Sequence, residues 1–433
     1  MHNYTIIANT QHSALFVSFQ KKKDAQLIAE LLTGNPDATA IPRILTASNE
    51  FKQRLCLLDV LGESFYEPKR FFYEIPENQH FIFLPGHIDD RIRIYLSALE
   101  ICRIDNVPLK SPDIGIIAPF LYNHYEMRVF DGSPENRKRI GERDKSKRVC
   151  RFCGGDISMP NVRFTEKAHA ISESIGNKGL ICLEECDDCN TRFNDTIEQD
   201  IGNLLRFQLV VKGIKGKNGN PTLKGDEVSI KNDTTSRSKL GRDTIVIKFK
   251  KSPESFDPKE ISKYISQQHS FSQVKYTPQN IYKCLCKYVM SLLDSRFLPC
   301  FKNTIDWINE PLTRRSLPPI WYNSVPSGEY PYLAIMTRKH NNKELPYCWA
   351  ILCVAGIRFS FIVPFCSFDD NKFVRGNHLN YFINNIESIM PDVKQHPIWL
   401  NSVMRVRTKI QFNFVIPPDC VEGRDYYLIE SKL

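Results

Sequence analysis

Two short cysteine pairs constrain this chain more than anything else in it. Cys150 and Cys153 stand in "VCRFCGG", and Cys186 and Cys189 in "ECDDCN", so one Cys-x-x-Cys pair follows another across residues 154–185. Two residues between cysteines let one tight turn aim both thiolates at a single point, and two such turns complete the tetrahedral sulfur shell that zinc accepts. Gly154 and Gly155 follow the first pair, where such a turn needs left-handed backbone freedom. Four sulfur ligands leave no coordination position for water, so the implied ion is structural and any chemistry must come from other side chains. Cys182, also inside the frame, has no room in a closed site.

The other cysteines do not suggest a disulfide scaffold, because 14 are diluted in 433 residues. Cys56, Cys102, Cys182, Cys300, Cys348, Cys353, Cys366 and Cys420 lie among apolar neighbours and read as small buried hydrophobes. Cys284 and Cys286, in "IYKCLCKYVMSLL", read as helix core. No apolar run is long enough for a membrane span, and the N-terminal "MHNYTIIANTQHSALFVSFQKKK" lacks the order of a signal peptide. A cytoplasmic protein with no membrane association is expected.

The expected fold class is α+β and multidomain. Residues 1–135 form an N-terminal α/β region, in which "DAQLIAELLTG" has helix spacing and "HFIFLPG" reads as a strand. Residues 136–208 hold the cysteine module. Residues 209–433 form a mixed α+β region with hairpins, then helical periodicity from "PKEISKYISQQHSF" through "IYKCLCKYVMSLL", then strands in "YPYLAIMTRKH", "CWAILCVAGIRFSFIVPF" and "QFNFVIP".

Within the module, "VRFTEKAHAI" reads as a strand ending at His169 and "LICL" as a second, with a turn at Gly176 and Asn177 between them. After the second pair, "NTRFNDTIEQDIGNLL" has helix periodicity, with Phe193, Ile197, Ile201, Leu204 and Leu205 as its buried stripe. Asn190, Asn194 and Glu198 recur every four residues on a neighbouring face, where polar groups would converge. The order is strand, loop, strand, helix.

This stretch, roughly 145–205, resembles the HNH endonuclease family, the ββα-metal nucleases, in its variant with a structural zinc. The residues that carry the likeness are "CRFC", "AHAISESIGNKGL" and "ECDDCN". The resemblance implies a metal-dependent endonuclease acting on phosphodiester bonds, most naturally in double-stranded DNA, with RNA left open. It implies His169 as the general base, Asn177 as the asparagine that steadies the loop, and Asn190 as a ligand of a catalytic magnesium or manganese ion. Many members carry an acidic residue or histidine just before the base, whereas this chain has Ala168. Glu166, Glu173, Asn194 and Glu198 are the candidates to supply the missing oxygen, Asn194 first. Histidine suits the role because its ordinary pKa is close to neutral. His87, His124 and His378 lack such a frame and read as surface or packing residues.

Charge fits a nucleic-acid partner without requiring one. The net charge is +9, and "RKRIGERDKSKRVCR" (137–151) and "VVKGIKGKNGNPTLKG" (210–225) flank the module on both sides. Modules of this kind joined to large flanking regions look like prokaryotic antiviral defence or restriction-type proteins, with restraint supplied by those regions, a regulatory protein or a second copy. The alternative reading is a binding adaptor, stapled by zinc, whose nuclease site has decayed.

Overall fold

The structure is a computed structural model. It describes residues 2–10, 14–19, 22–33, 43–55, 65–85, 94, 97–98, 101–102, 104–107, 119–134, 136–216, 219, 221–224, 228–233, 244–249, 268–272, 274–324, 330–387, 397–407, 409–413 and 427–429. Cys56, His87, Cys420 and part of the second basic stretch lie outside the described residues. The chain divides into two compact units, one of residues 1–126 with 383–394 and 432–433, the other of 127–382 with 395–431. Residues 136–208 and most of 209–433 therefore belong to a single unit.

In the first unit, β1 (His2–Ala8) pairs with β2 (Ala14–Phe19) and β4 (His80–Pro85), and β4 with β3 (Arg43–Thr46), all antiparallel, in the order β2-β1-β4-β3. Of the α/β and α+β readings open for this region the antiparallel pairs favour α+β; a connection as short as residues 9–13 suits an antiparallel hairpin and cannot make a parallel crossover. Tyr4, Phe19, Phe81 and Phe83 form one core with Phe51 of α2 (Asn49–Arg54) and Phe71 and Phe72 of α3 (Tyr66–Glu74), joined by Ile28 of α1 (Lys22–Thr33). Ile7, Ile82 and Leu84, which point to the opposite face, pack with Ile94, Ala98 and Ile101.

The second unit is organised around a six-stranded sheet. Its order is β16 (Pro397–Ile398), β12 (Ile320–Ser324), β15 (Ile357–Ile362), β14 (Cys348–Val354), β13 (Tyr332–Arg338) and β5 (Tyr125–Asp131). Every residue of β14 and β15 is buried, which explains why β14 runs apolar without alternation; β15 also buries Arg358 and Ser360. Cys348, Ala350, Leu352 and Val354 join the main core, whereas Trp349, facing the other way, packs on Phe382 at 5.5 Å between ring centroids.

The main core's axis is the helix Pro278–Leu292, which follows three shorter helices in the chain: α4 (Asp187–Asp195), α5 (Ile197–Leu204) and α6 (Arg206–Val211). It is therefore α7, and α8 is Lys302–Asn309. Proline at the first helical position starts α7 without losing a needed N–H. From Ile281 to Leu292 every residue of α7 is buried, so one face meets the sheet and the other meets the cysteine module. Cys284 and Cys286 are part of this packing. The strand β11 (Gln268–Ser272) precedes α7, where helical periodicity was expected; it pairs with β17 (Lys409–Asn413), a partner far away in sequence. Smaller pairings complete the unit: β18 (Tyr427–Ile429), β10 (Thr244–Phe249), β9 (Val228–Asp233) and β8 (Thr222–Lys224) form one antiparallel sheet, and β6 (Lys138–Ile140) runs parallel to β7 (Leu180–Cys182).

Candidate functional site

The two cysteine turns meet. The four Sγ atoms of Cys150, Cys153, Cys186 and Cys189 all lie within 4.8 Å of one another, and Cys153 to Cys186 is 3.7 Å. A tetrahedron with zinc–sulfur bonds of about 2.3 Å has edges of about 3.8 Å, so the frame fits such an ion. The first turn closes by bonds from Gly154 N to Cys150 O (2.9 Å) and Cys150 N to Gly155 O (2.8 Å). Gly154 adopts φ +71°, and a Cβ on Gly155 would come 2.6 Å from Val162 Cγ2, so both glycines are required. Crowded thiols compete for protons: the hydrogen bond from Cys189 holds Cys150 down to about 5, while burial lifts Cys186 to about 12. Cys182 is buried outside this cluster.

His169 lies opposite Ile181 in an isolated antiparallel bridge. Cys182 N bonds to Ala168 O at 2.9 Å and Ala170 N to Leu180 O at 3.1 Å, so backbone bonds flank the histidine on both sides. Only this bridge realises the expected first strand, and β6 pairs along the other edge of β7. The imidazole is 12% exposed, its Nε2 lies 3.5 Å from Glu173 Oε2, and its buried Nδ1 has no hydrogen-bond partner. Burial, with Lys167 next, pushes the ring down to about 4 against the pull of Glu173; Lys178 and Lys287 add to the depression.

Asn177 is fully buried and closes the loop between histidine and β7. Its Nδ2 donates to Ile171 O (2.6 Å) and Leu180 O (2.9 Å), and its Oδ1 accepts from Gly179 N (3.1 Å) and Leu180 N (2.9 Å).

The remaining candidates have separate partners. Asn190 Nδ2 donates to Glu166 Oε2 at 2.9 Å. Asn194 Nδ2 reaches Asp195 Oδ1 at 3.3 Å. Glu173 pairs with Lys178 at 2.9 Å; burial raises its carboxyl, but that bond and the charges of His169, Lys178 and Lys167 outweigh it, and the net shift is down. Glu198 is turned inward onto Lys287. The helical face expected to gather Asn190, Asn194 and Glu198 is broken at Thr196 (φ −120°, ψ −91°), which separates α4 from α5 and redirects Glu198. Phe193, Ile197, Ile201 and Leu205 are buried across the break. Among the described residues, only the four cysteines form a converging group of three or more His, Cys, Asp or Glu ligands. A cleft of about 860 Å³ runs past this region, lined by Asn194, Glu198, Gln199, Asn203, Arg206 and Lys224.

The basic stretch before the module divides by role. Arg137, Lys138, Arg139, Arg143, Lys145 and Lys147 are exposed. Arg148 folds back onto the Glu142 and Arg143 carbonyls, and Arg151 points inward. Arg151 forks onto Glu184 (2.7 and 2.8 Å) and donates to Leu293 O and Met290 O at the end of α7. At the other end of that helix, Asp200 accepts from Thr277 N (3.1 Å) and Asn280 Nδ2 (2.8 Å). In the middle, Lys287 meets Glu185, Glu198 and the His169 carbonyl.

Sequence reasoning missed Arg151, Glu185, Asp200 and Lys287. The one available signal was a pair of lysines, Lys283 and Lys287, in a helix whose other residues are mostly apolar. No helix among the described residues is long and apolar enough to cross a membrane. No protein-family model, curated protein or solved structure matches the chain.

Proposed function

We propose that residues 145–205 form the catalytic unit of a metal-dependent HNH-type endonuclease that hydrolyses phosphodiester bonds in DNA, its cysteine frame holding a structural zinc ion. The observation that carries this reading is the His169 imidazole: mostly buried, set by backbone bonds on both sides, and with an unpartnered nitrogen. A buried polar atom without a partner calls for a role, and a ring held neutral well below physiological pH is ready to accept a proton from water. His169 takes that proton as the water attacks phosphorus, while Glu173, 3.5 Å from Nε2, orients the ring and balances the positive charge that develops on it. Asn177 keeps the loop and β7 in register. Glu166 and Asn190, whose side chains touch, would hold a divalent ion, since a hard cation accepts one or two protein oxygens and completes its shell with water and phosphate. Such an ion, when bound, stabilises negative charge on the leaving oxygen. Glu166 thus replaces Asn194 as the preferred substitute for the acid absent at Ala168. The exposed cations of 137–147 offer phosphate contacts without base reading. A role in antiviral defence or restriction, with a regulatory partner or second copy, belongs to the same proposal.

The adaptor reading draws on one observation, the commitment of Glu198 to Lys287, which removes an oxygen from any catalytic ion. Incubating the full chain with plasmid DNA and magnesium or manganese separates the two. Nicking that falls about 100-fold or more in His169→Ala, with zinc retained, supports the nuclease. Binding without nicking under either ion, unchanged in that variant, supports the adaptor.

A further inference from the structure

Lys287 lies in the middle of α7 with its side chain 0% exposed. An ammonium has three N–H donors; here Nζ donates to Glu198 Oε1 at 2.8 Å and to the His169 carbonyl at 3.2 Å, and it pairs by charge with Glu185 Oε2 at 3.0 Å. The Phe193 ring lies beside it, 5.7 Å from Nζ to centroid. These three partners belong to three pieces of the ββα unit. His169 is on the first bridge, Glu185 immediately precedes the second cysteine pair, and Glu198 is on α5. One buried charge thus sets the placement of the histidine backbone relative to the sulfur frame and the helix.

Stability alone is a poor explanation for this arrangement. A buried ion cluster is commonly matched or exceeded in stability by hydrocarbon of similar volume, while its directional bonds hold a single geometry. The carbonyl that Lys287 holds belongs to the residue read as the base, and Lys287 comes from a helix more than a hundred residues later in the chain.

We propose that Lys287 is a positioning residue for His169, so that the catalytic unit is completed by α7 rather than being self-contained. This rests on the reading of His169 as the base. The test uses the full chain in two variants. Lys287→Met combined with Glu185→Leu and Glu198→Leu replaces the whole cluster with hydrocarbon and leaves no unpaired charge. Lys287→Arg keeps the charge but spreads it over a planar fork, which cannot match three oxygens converging on one point. The expected result is zinc content as in the parent, KM for a DNA duplex within about twofold, and kcat lowered about tenfold or more, because misplacing a reacting group costs rate rather than affinity. The magnesium or manganese concentration giving half-maximal rate should stay unchanged. A shift in it means that the cluster ligates the ion, and overturns the proposal. An unchanged kcat in whichever variant folds also overturns it. Failure of the parent to cleave under either ion defeats the nuclease reading instead. The ¹⁵N resonances of the His169 ring and the exchange of the Cys182 and Ala170 amides then decide positioning: altered spectra with faster exchange support it, and spectra identical to the parent's overturn it.

Discussion

Asn177 and Leu180 hold each other in both directions: Asn177 Nδ2 donates to Leu180 O at 2.9 Å, and Leu180 N donates to Asn177 Oδ1 at 2.9 Å. The side chain imitates a strand partner and ends the loop where β7 begins. Replacing it with alanine takes the partner from Leu180 N and Ile171 O, while Gly179 N keeps Gly132 O and Leu180 O keeps Ala170 N. Asn177→Ala should lose about 3 kcal/mol of stability, measured by urea denaturation, since each buried polar group left without a partner costs about 1–3 kcal/mol. Asn177→Asp should be at least as damaging, because a carboxylate would face two carbonyl oxygens.

The sulfur frame ties together segments that have little regular structure of their own. Chelation with a strong zinc ligand should release about one ion per chain, detected with a colorimetric indicator, and unfold the 145–205 region. Cys186→Ser should fail to retain the ion. An ion that remains bound, or a fold indifferent to its removal, would contradict the structural assignment.

Arg151 connects the first cysteine turn to the end of α7. Arg151→Met removes a fork on Glu184 and the capping of the last carbonyls of the helix, and leaves a carboxylate without its cation. Breaking a mostly buried pair of this kind costs about 3–5 kcal/mol. The expected result is a lower melting temperature with zinc still bound, which separates docking on α7 from metal retention.

Histidine protonation provides a test with a definite sign. His169 is pushed down to about 4, below the ordinary histidine value, chiefly by burial. On the proposed role of His169 as base the neutral ring is the active form, so a cleavage rate should hold through pH 6 and fall only as the pH approaches about 4. An acid limb near the ordinary value would show that the ring is not buried in the working enzyme. Linkage runs the same way: the unfolded chain binds this proton at higher pH than the folded chain does. His169 therefore contributes stability present above the ordinary value and lost as the pH falls towards about 4. His169→Gln should flatten the acid side of the stability profile.

Much of the site was legible in the residue order, because its signals are local. The spacing of Cys150, Cys153, Cys186 and Cys189 implied convergence on one point; the turn at Asn177 and the apolar stripe Phe193, Ile197, Ile201 and Leu205 followed from periodicity. Other features depended on segments remote in sequence. Periodicity through Asn190, Asn194 and Glu198 assumes an unbroken helix, and the break at Thr196 is made while α5 packs on α7. The parallel strand β6 and the strand β11 owe their structure to partners that composition does not reveal.

By itself, then, the sequence determined a sulfur frame and a histidine between its halves, since tight turns are decided by neighbours a few residues apart. Tertiary structure alone decided that Arg151, Asp200 and Lys287 bind the module to α7, which merges it with the C-terminal core. The physical reason is that a buried charge finds its counter-charge through the packing of distant segments, and no spacing along the chain records that choice.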